Sequence, residues 1–157
     1  MSDEFPVLSA SEPETIEFLL NFFNSPTIKK ELHWFTHRAT VERAFERDDR
    51  ELFYTVNSGD NTIIGGLMVW CESRVLEPHE AQIRLVAVDL DYRDCGIGKQ
   101  LCDAAEGFAK ECEKKAMIAD VAEKSPAVSF WHACGYKTQK KWSTKNGRPM
   151  LRVEKSL

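Results

Sequence analysis

The stretch from Gln82 to Lys99, QIRLVAVDLDYRDCGIGK, constrains this chain most, because it joins a buried-strand pattern to a glycine turn that opens onto a helix. Ile83, Leu85, Val86, Ala87 and Val88 form a near-continuous apolar run, the pattern of a strand covered on both faces, and Asp89 to Asp94 is polar and turn-like. Gly96 and Gly98 then bracket Ile97. Glycine lets main-chain amides approach a ligand with no Cβ between them, and the first turn of a helix offers unpaired N–H groups at the positive end of its dipole. The expected ligand is an anion, held by the amides of Asp94, Cys95, Gly96, Ile97, Gly98 and Lys99, with the Arg93 and Lys99 side chains adding charge.

Spacing decides which anion. A nucleotide-hydrolase phosphate loop needs glycine five positions before Gly98 and Ser or Thr after Lys99, where this chain has Arg93 and Gln100. A dinucleotide fingerprint needs a small residue three positions beyond Gly98, where Leu101 stands. A nucleotide-binding reading is therefore disfavoured. The pattern that remains, Arg93-x-x-Gly96-x-Gly98 after a strand ending Val86-Ala87-Val88, resembles the acyl-CoA pyrophosphate loop of the GNAT superfamily of N-acetyltransferases.

The rest of the chain can be tested against that resemblance. Its 157 residues suit one domain, 1–157, with a substantial core. A net charge of −4 argues against nucleic acid as a partner, and the basic cluster Lys137 to Arg148 reads as a solvated hairpin. The acidic start MSDEFPV lacks the pattern of a signal peptide, and no apolar run approaches a membrane span, so a cytoplasmic protein without a membrane partner is expected. Five cysteines without metal-ligand spacing read as free thiols; Cys95 stands out only by its place in the anion loop.

Taken in order, Phe5 to Ser9 suits a short strand, and Ser11-Glu12-Pro13-Glu14 a capping box that opens a helix with Ile16, Leu19, Leu20 and Phe23 inward. Thr27 to Arg47 is a second helical region, broken near Thr36 to Thr40, with Leu32, Trp34, Phe35, Val41, Ala44 and Phe45 as its apolar positions. His33 and His37, four apart, can share a helix face, but Trp34 stands where a metalloprotease glutamate would, and no metal is expected. Glu51–Asn57 and Thr62–Glu72 form a hairpin, and Gly65-Gly66 marks a bulge or a close backbone approach. After the loop, Ile97, Leu101, Ala104, Ala105, Phe108 and Cys112 make an amphipathic stripe whose opposite face carries Asp103, Glu106, Lys110, Glu113 and Lys114. Ala116 to Ala122 is a strand parallel to the first, Ser125-Pro126 starts a short helix stopped by Gly135, and Tyr136–Trp142 pairs with Pro149–Lys155.

That order resembles the GNAT fold over essentially the whole chain: an α/β (α+β) architecture with a central mixed sheet, splayed parallel strands and about four helices. The family's second signature, a short helix ending in an aromatic, three spacers, glycine and an aromatic, matches Trp131-His-Ala-Cys-Gly135-Tyr136. The resemblance implies acetyl-CoA as cofactor and direct transfer to a primary amine on a small molecule or peptide. It implies that the backbone of Val86 and Val88 pairs with pantetheine, that the helix ending at Cys134 flanks it, and that Trp131 packs against it or in the core. Dimers are common in the family, which admits a homodimer.

Three positions depart from the family pattern, one of them Lys124, which stands where the family often has asparagine at the start of the second segment. The catalytic glutamate falls on Gln82, which cannot take a proton, and the usual tyrosine acid falls on Trp131, whose indole is no acid at neutral pH. Glu80, two residues before Gln82, is the best substitute base, against a solvated strand end; Tyr136 is the substitute acid, against a core aromatic. The departures motivate an alternative, an acyl-CoA-binding sensor or interaction module that has lost catalysis.

Overall fold

The computed structural model describes residues 5–157, so the acidic start Met1–Glu4 lies outside the described residues. Strand β1 (Leu8–Ser9) is followed by helices α1 (Glu14–Phe23), α2 (Pro26–Leu32) and α3 (Arg38–Glu46), strands β2 (Arg50–Val56), β3 (Ile63–Trp70) and β4 (Glu80–Val88), and a 3-10 turn at Leu90–Tyr92. Helix α4 (Ile97–Glu111), β5 (Ala116–Ala122), α5 (Ala127–Ala133), β6 (Lys137–Ser143) and β7 (Pro149–Ser156) complete the chain. The strands form one seven-stranded sheet in the order β1-β2-β3-β4-β5-β7-β6, in which only β4 and β5 are parallel. This is the mixed α/β sheet expected, with five α-helices rather than four because the Thr27–Arg47 region holds two. Among the described residues, no helix is long and apolar enough to cross a membrane.

Two cores sandwich the sheet. On one face Ile97, Leu101 and Ala105 of α4 meet Leu67, Val69, Ile83 and Met117; on the other, Leu19 and Phe23 of α1 and Val41 of α3 meet Leu52, Met68 and Leu85. The glycine pair of β3 permits both approaches. A Cβ on Gly65 would lie 2.9 Å from Ile97 Cγ2, and one on Gly66 would lie 3.1 Å from Phe23 Cζ. The expected irregularity is also present, since Thr55 pairs with Gly65 and Val56 with Ile63, leaving Ile64 as an extra residue.

Several local expectations are corrected. The first strand is shorter than Phe5–Ser9. The capping box does not form: α1 is capped at Pro13 with no side-chain hydrogen bond, and Ser11 lies outside the helix. His33 and His37 do not share a helix face, because His33 takes a left-handed backbone (φ 53°) that ends α2 and His37 precedes α3. The segment between them is tied back to α1 by Asn24, whose side chain accepts from Thr36 N (2.8 Å) and donates to Thr36 O (2.9 Å). Trp34 and Phe35 are thereby left exposed rather than buried.

Helix α4 buries more than its one predicted stripe. Cys102, Glu106 and Ala109 form a second inward row. Glu106, expected outside beside Lys110, instead accepts from the buried Tyr136 hydroxyl (2.8 Å) and from Lys155 Nζ (2.9 Å). Lys114, also expected outside, is buried and donates to Glu72 (3.0 Å) and to the carbonyl of Pro78 (2.8 Å).

Candidate functional site

Strands β4 and β5 pair at only three positions, Glu80 with Ala116, Ala81 with Met117 and Gln82 with Ile118. Beyond Gln82 their facing edges part, while β4 continues on β3 as far as Val88 and β5 continues on β7 as far as Ala122. The parting coincides with a bulge. Leu85 pairs with Met68 and Ile83 with Val69, so Arg84 has no partner on β3 and the strand bends there. A sheet opened in this way presents backbone donors and acceptors with no partner strand across the gap, and such groups need partners. The apolar Val86-Ala87-Val88 run is only half-buried because it borders this gap, not because a second layer fails to form.

The gap leads to the glycine loop. Asp94 and Gly96 both take left-handed backbone, φ 65° and 80°, a reversal of the kind that gathers successive N–H groups into an anion-binding concavity. A Cβ on Gly96 would meet nothing within 4 Å, so it is the backbone conformation and not space that calls for glycine. The first helical hydrogen bond of α4 runs from Gln100 N to Gly96 O. Among the described residues, the amides from Asp94 to Lys99 therefore have no backbone acceptor, and Cys95 lies exposed among them.

Gly98 answers a different constraint. A Cβ there would sit 2.9 Å from Phe130 Cε1, so glycine lets α5 close on the first turn of α4 beside Val88. Phe130, which sequence reasoning missed, thus lines the junction of loop and gap. Its neighbour Trp131 is only 4% exposed, edge-on to Phe130 and Tyr136 with ring centroids 5.3 and 4.9 Å away. Of the two places expected for Trp131, the core is occupied: the indole is part of the buried cluster.

The charged side chains of the loop are already engaged. Arg93 donates to both carboxylate oxygens of Glu31 on α2 and to the carbonyl of Val88, and the Glu31 carboxylate pushes its pKa further up. The charge expected of Arg93 is thus present at the loop but paired with Glu31, and the Val88 carbonyl, on the strand expected to meet pantetheine, accepts from Arg93. Lys99 pairs with Asp103 one turn on, at 3.1 Å.

Tyr136 does not fit the role of an acid. It is 1% exposed and its hydroxyl is committed to Glu106, while burial, chiefly, raises its pKa far above the phenolic value. Glu80 is buried rather than a solvated strand end. It lies on the face of Gln82 at the closed end of the strands, and its Oε1 accepts from Glu77 N (3.0 Å). Gln82, 2% exposed, stands at the last paired position before the gap. Its Nε2 points to Asp120 Oδ2 (3.4 Å), and its Oε1 is buried with no partner. Asp120, also missed, is held by Arg152 (2.9 and 3.0 Å) and by Trp142 Nε1 (3.2 Å). The sequence did carry a signal for it: an acid in the middle of the apolar strand AMIADVA.

A family model described as the acetyltransferase (GNAT) family matches residues 16–136. Among solved structures, an aminoglycoside 6'-N-acetyltransferase complexed with coenzyme A is similar at TM-score 0.75 and 13% identity, over 96% of this chain and 96% of that one. An acetyltransferase of the GNAT family from Streptococcus pneumoniae is similar at TM-score 0.73 and 14% identity, over 98% of this chain and 100% of that one. The ribosomal-protein-S18-alanine N-acetyltransferase from Escherichia coli is similar at TM-score 0.70 and 14% identity, over 97% and 93% of the two chains. No curated protein sequence matches this chain significantly.

Proposed function

The chain belongs to the acetyltransferase (GNAT) family, and from that membership we propose that residues 1–157 act as one domain that transfers the acetyl group of acetyl-CoA directly to a primary amine on a small molecule or peptide. The observation that carries this reading is the parting of β4 and β5 after Gln82–Ile118, with free loop amides at its far end. Those features suit a long, amide-bearing ligand with an anionic head.

Acetyl-CoA supplies an activated thioester carbonyl and a thiolate leaving group. The amides of Asp94 to Lys99 would hold its pyrophosphate, and the open edge of β4 at Val86 would pair with its pantetheine amides. The Val88 carbonyl can join only once Arg93 releases it. Phe130 and Gly98 would fix the width of the entrance, while Trp131 supports them from within the core. Gln82 would turn its unpartnered Oε1 toward an N–H of the incoming amine, orienting a nucleophile that must already be neutral. Neither Tyr136 nor Trp131 offers an acid, so protonation of the leaving thiolate falls to solvent or the departing amine proton. A cytoplasmic setting agrees with five free cysteines.

Thermal melts with CoA, and thiol release with a panel of amines, test this reading. A ligand at a hundred times its dissociation constant stabilises by about 2.7 kcal/mol, so the midpoint should rise measurably at millimolar CoA. An unchanged midpoint would remove the cofactor. A shifted midpoint with no amine turned over would favour the alternative, an acyl-CoA-binding sensor, which the glutamine at position 82 and the buried Tyr136 hydroxyl motivate. Gly98→Val should drive Phe130 outward, costing about 1–3 kcal/mol by overpacking. It should also weaken CoA binding by about tenfold or more, which corresponds to about 1.4 kcal/mol. Wild-type affinity in a folded Gly98→Val protein would show that the loop is only a turn.

A further inference from the structure

Trp70 closes β3 on the face that carries α1 to α3, half-buried against the second core, with its indole N–H buried and without a hydrogen-bond partner. Its cross-strand neighbours are Arg50 on β2 and Gln82 on β4. The guanidinium carbon of Arg50 lies 3.7 Å from the centre of an indole ring, and that of Arg84, the unpaired residue of the β4 bulge, lies 4.6 Å from it. Cation–π contact makes this gathering of like charges tolerable but neutralises neither. Arg50 Nε is a second buried donor without a partner.

Among the described residues, neither guanidinium has a carboxylate within ion-pair distance. The acids that act on them from farther off are engaged elsewhere, Asp49 with Arg47 and Asp120 with Arg152. Partial burial lowers the pKa of the half-buried Arg50, and packing of the more exposed Arg84 against Trp70 and the β4 bulge lowers that of Arg84 as well. Two buried donors without partners, Arg50 Nε and Trp70 Nε1, beside the outward-facing guanidinium of Arg84, suit an anion. One register step away, the buried Oε1 of Gln82 calls for a donor.

We propose that Arg50, Trp70 and Arg84 bind an anionic group of the acceptor, a carboxylate or a phosphate, while its amine meets Gln82 Oε1 next to the gap between β4 and β5. The substrate class is thus a primary amine that carries an anion close by. This rests on the acetyl-transfer reading above and narrows its acceptor. Polycationic acceptors are excluded by the same two arginines, since a second ammonium would face like charge where the anion belongs.

The test titrates the CoA-loaded protein calorimetrically with matched pairs: α-amino acids against their carboxamides, and phosphoethanolamine against ethanolamine. In at least one pair the anionic member should bind about tenfold or more tightly, since a hydrogen bond to a charged group contributes about 1.5–3 kcal/mol. The pair that responds tells carboxylate from phosphate. Arg84→Gln, at an exposed position, should bring the members of that pair to within about twofold, and Trp70→Phe, which keeps a ring but removes the N–H, should weaken the anionic member alone. Equal binding within every pair, tighter binding of the cationic members, or no binding of any member to protein that does bind CoA would overturn the anion site. Failure to bind CoA at all would instead bring down the acetyl-transfer reading, and this inference with it.

Discussion

Replacing Glu106 with alanine should lower the melting temperature by about 5–10 °C. The carboxylate is nearly buried and answers two groups at once, the hydroxyl of Tyr136, itself 1% exposed, and the ammonium of Lys155. Removing it strands the tyrosine donor, which costs about 1–3 kcal/mol. Lys155 retains access to water, its side chain being 30% exposed, so its loss counts for less than that of a fully buried partner. A total of about 2–3 kcal/mol, at about 2–4 °C for each in a chain of this size, gives the range above. Glu106→Gln keeps an acceptor for the hydroxyl and should cost less than half as much. An unchanged midpoint in Glu106→Ala would show that α4 is not fastened to Tyr136 and β7 through this group.

The rate of acetyl transfer should climb about tenfold per pH unit below the pKa of the acceptor amine, about a hundredfold between pH 7 and 9 for an amine of pKa near 10. The reason is that neither residue at the expected base positions is poised to take the amine's proton at the gap. Gln82 cannot take a proton, and Glu80 sits at the closed end of the strands with its carboxylate bonded to Glu77 N. A true general base contributes about 10²-fold or more, so Glu80→Gln should change the rate by less than about tenfold. The pH–rate profile of wild type and variant decides the point. A plateau near neutral pH that disappears together with most of the activity in Glu80→Gln would make Glu80 the catalytic base after all.

Much of this architecture is legible in the chain. The apolar run before Asp89, the paired glycines at 96 and 98, and the breaks at Gly59 and Asn146-Gly147 place the strands, the loop helix and the hairpins to within a few residues of where they stand. These are local signals: a period of two or of 3.6 residues, or a backbone angle that glycine alone adopts without strain, acts over a few residues wherever the segment ends up. Residues facing a single neighbour in the sheet or a single helix layer were read correctly for that reason, as with Ile16, Leu19 and Leu101.

The fold itself decided whatever depends on two distant segments meeting. Periodicity assigned one buried stripe to α4, yet Glu106 and Cys102 are inside because α5, Tyr136 and the end of β7 cover a second face of that helix. The same packing chose between the two places the sequence allowed for Tyr136 and for Trp131, and put both rings in the core. Arg93 is engaged by Glu31, 62 residues away, and Asp120 aims the amide of Gln82 across the parting strands, 38 residues away. The arginines beside Trp70 came together only through strand register and a bulge at Arg84. Sequence spacing fixes which residues share a helix face or a strand face. Partners for charge and for hydrogen bonds are chosen in three dimensions, by whichever groups the packing of the two cores leaves within about 3 Å of each other.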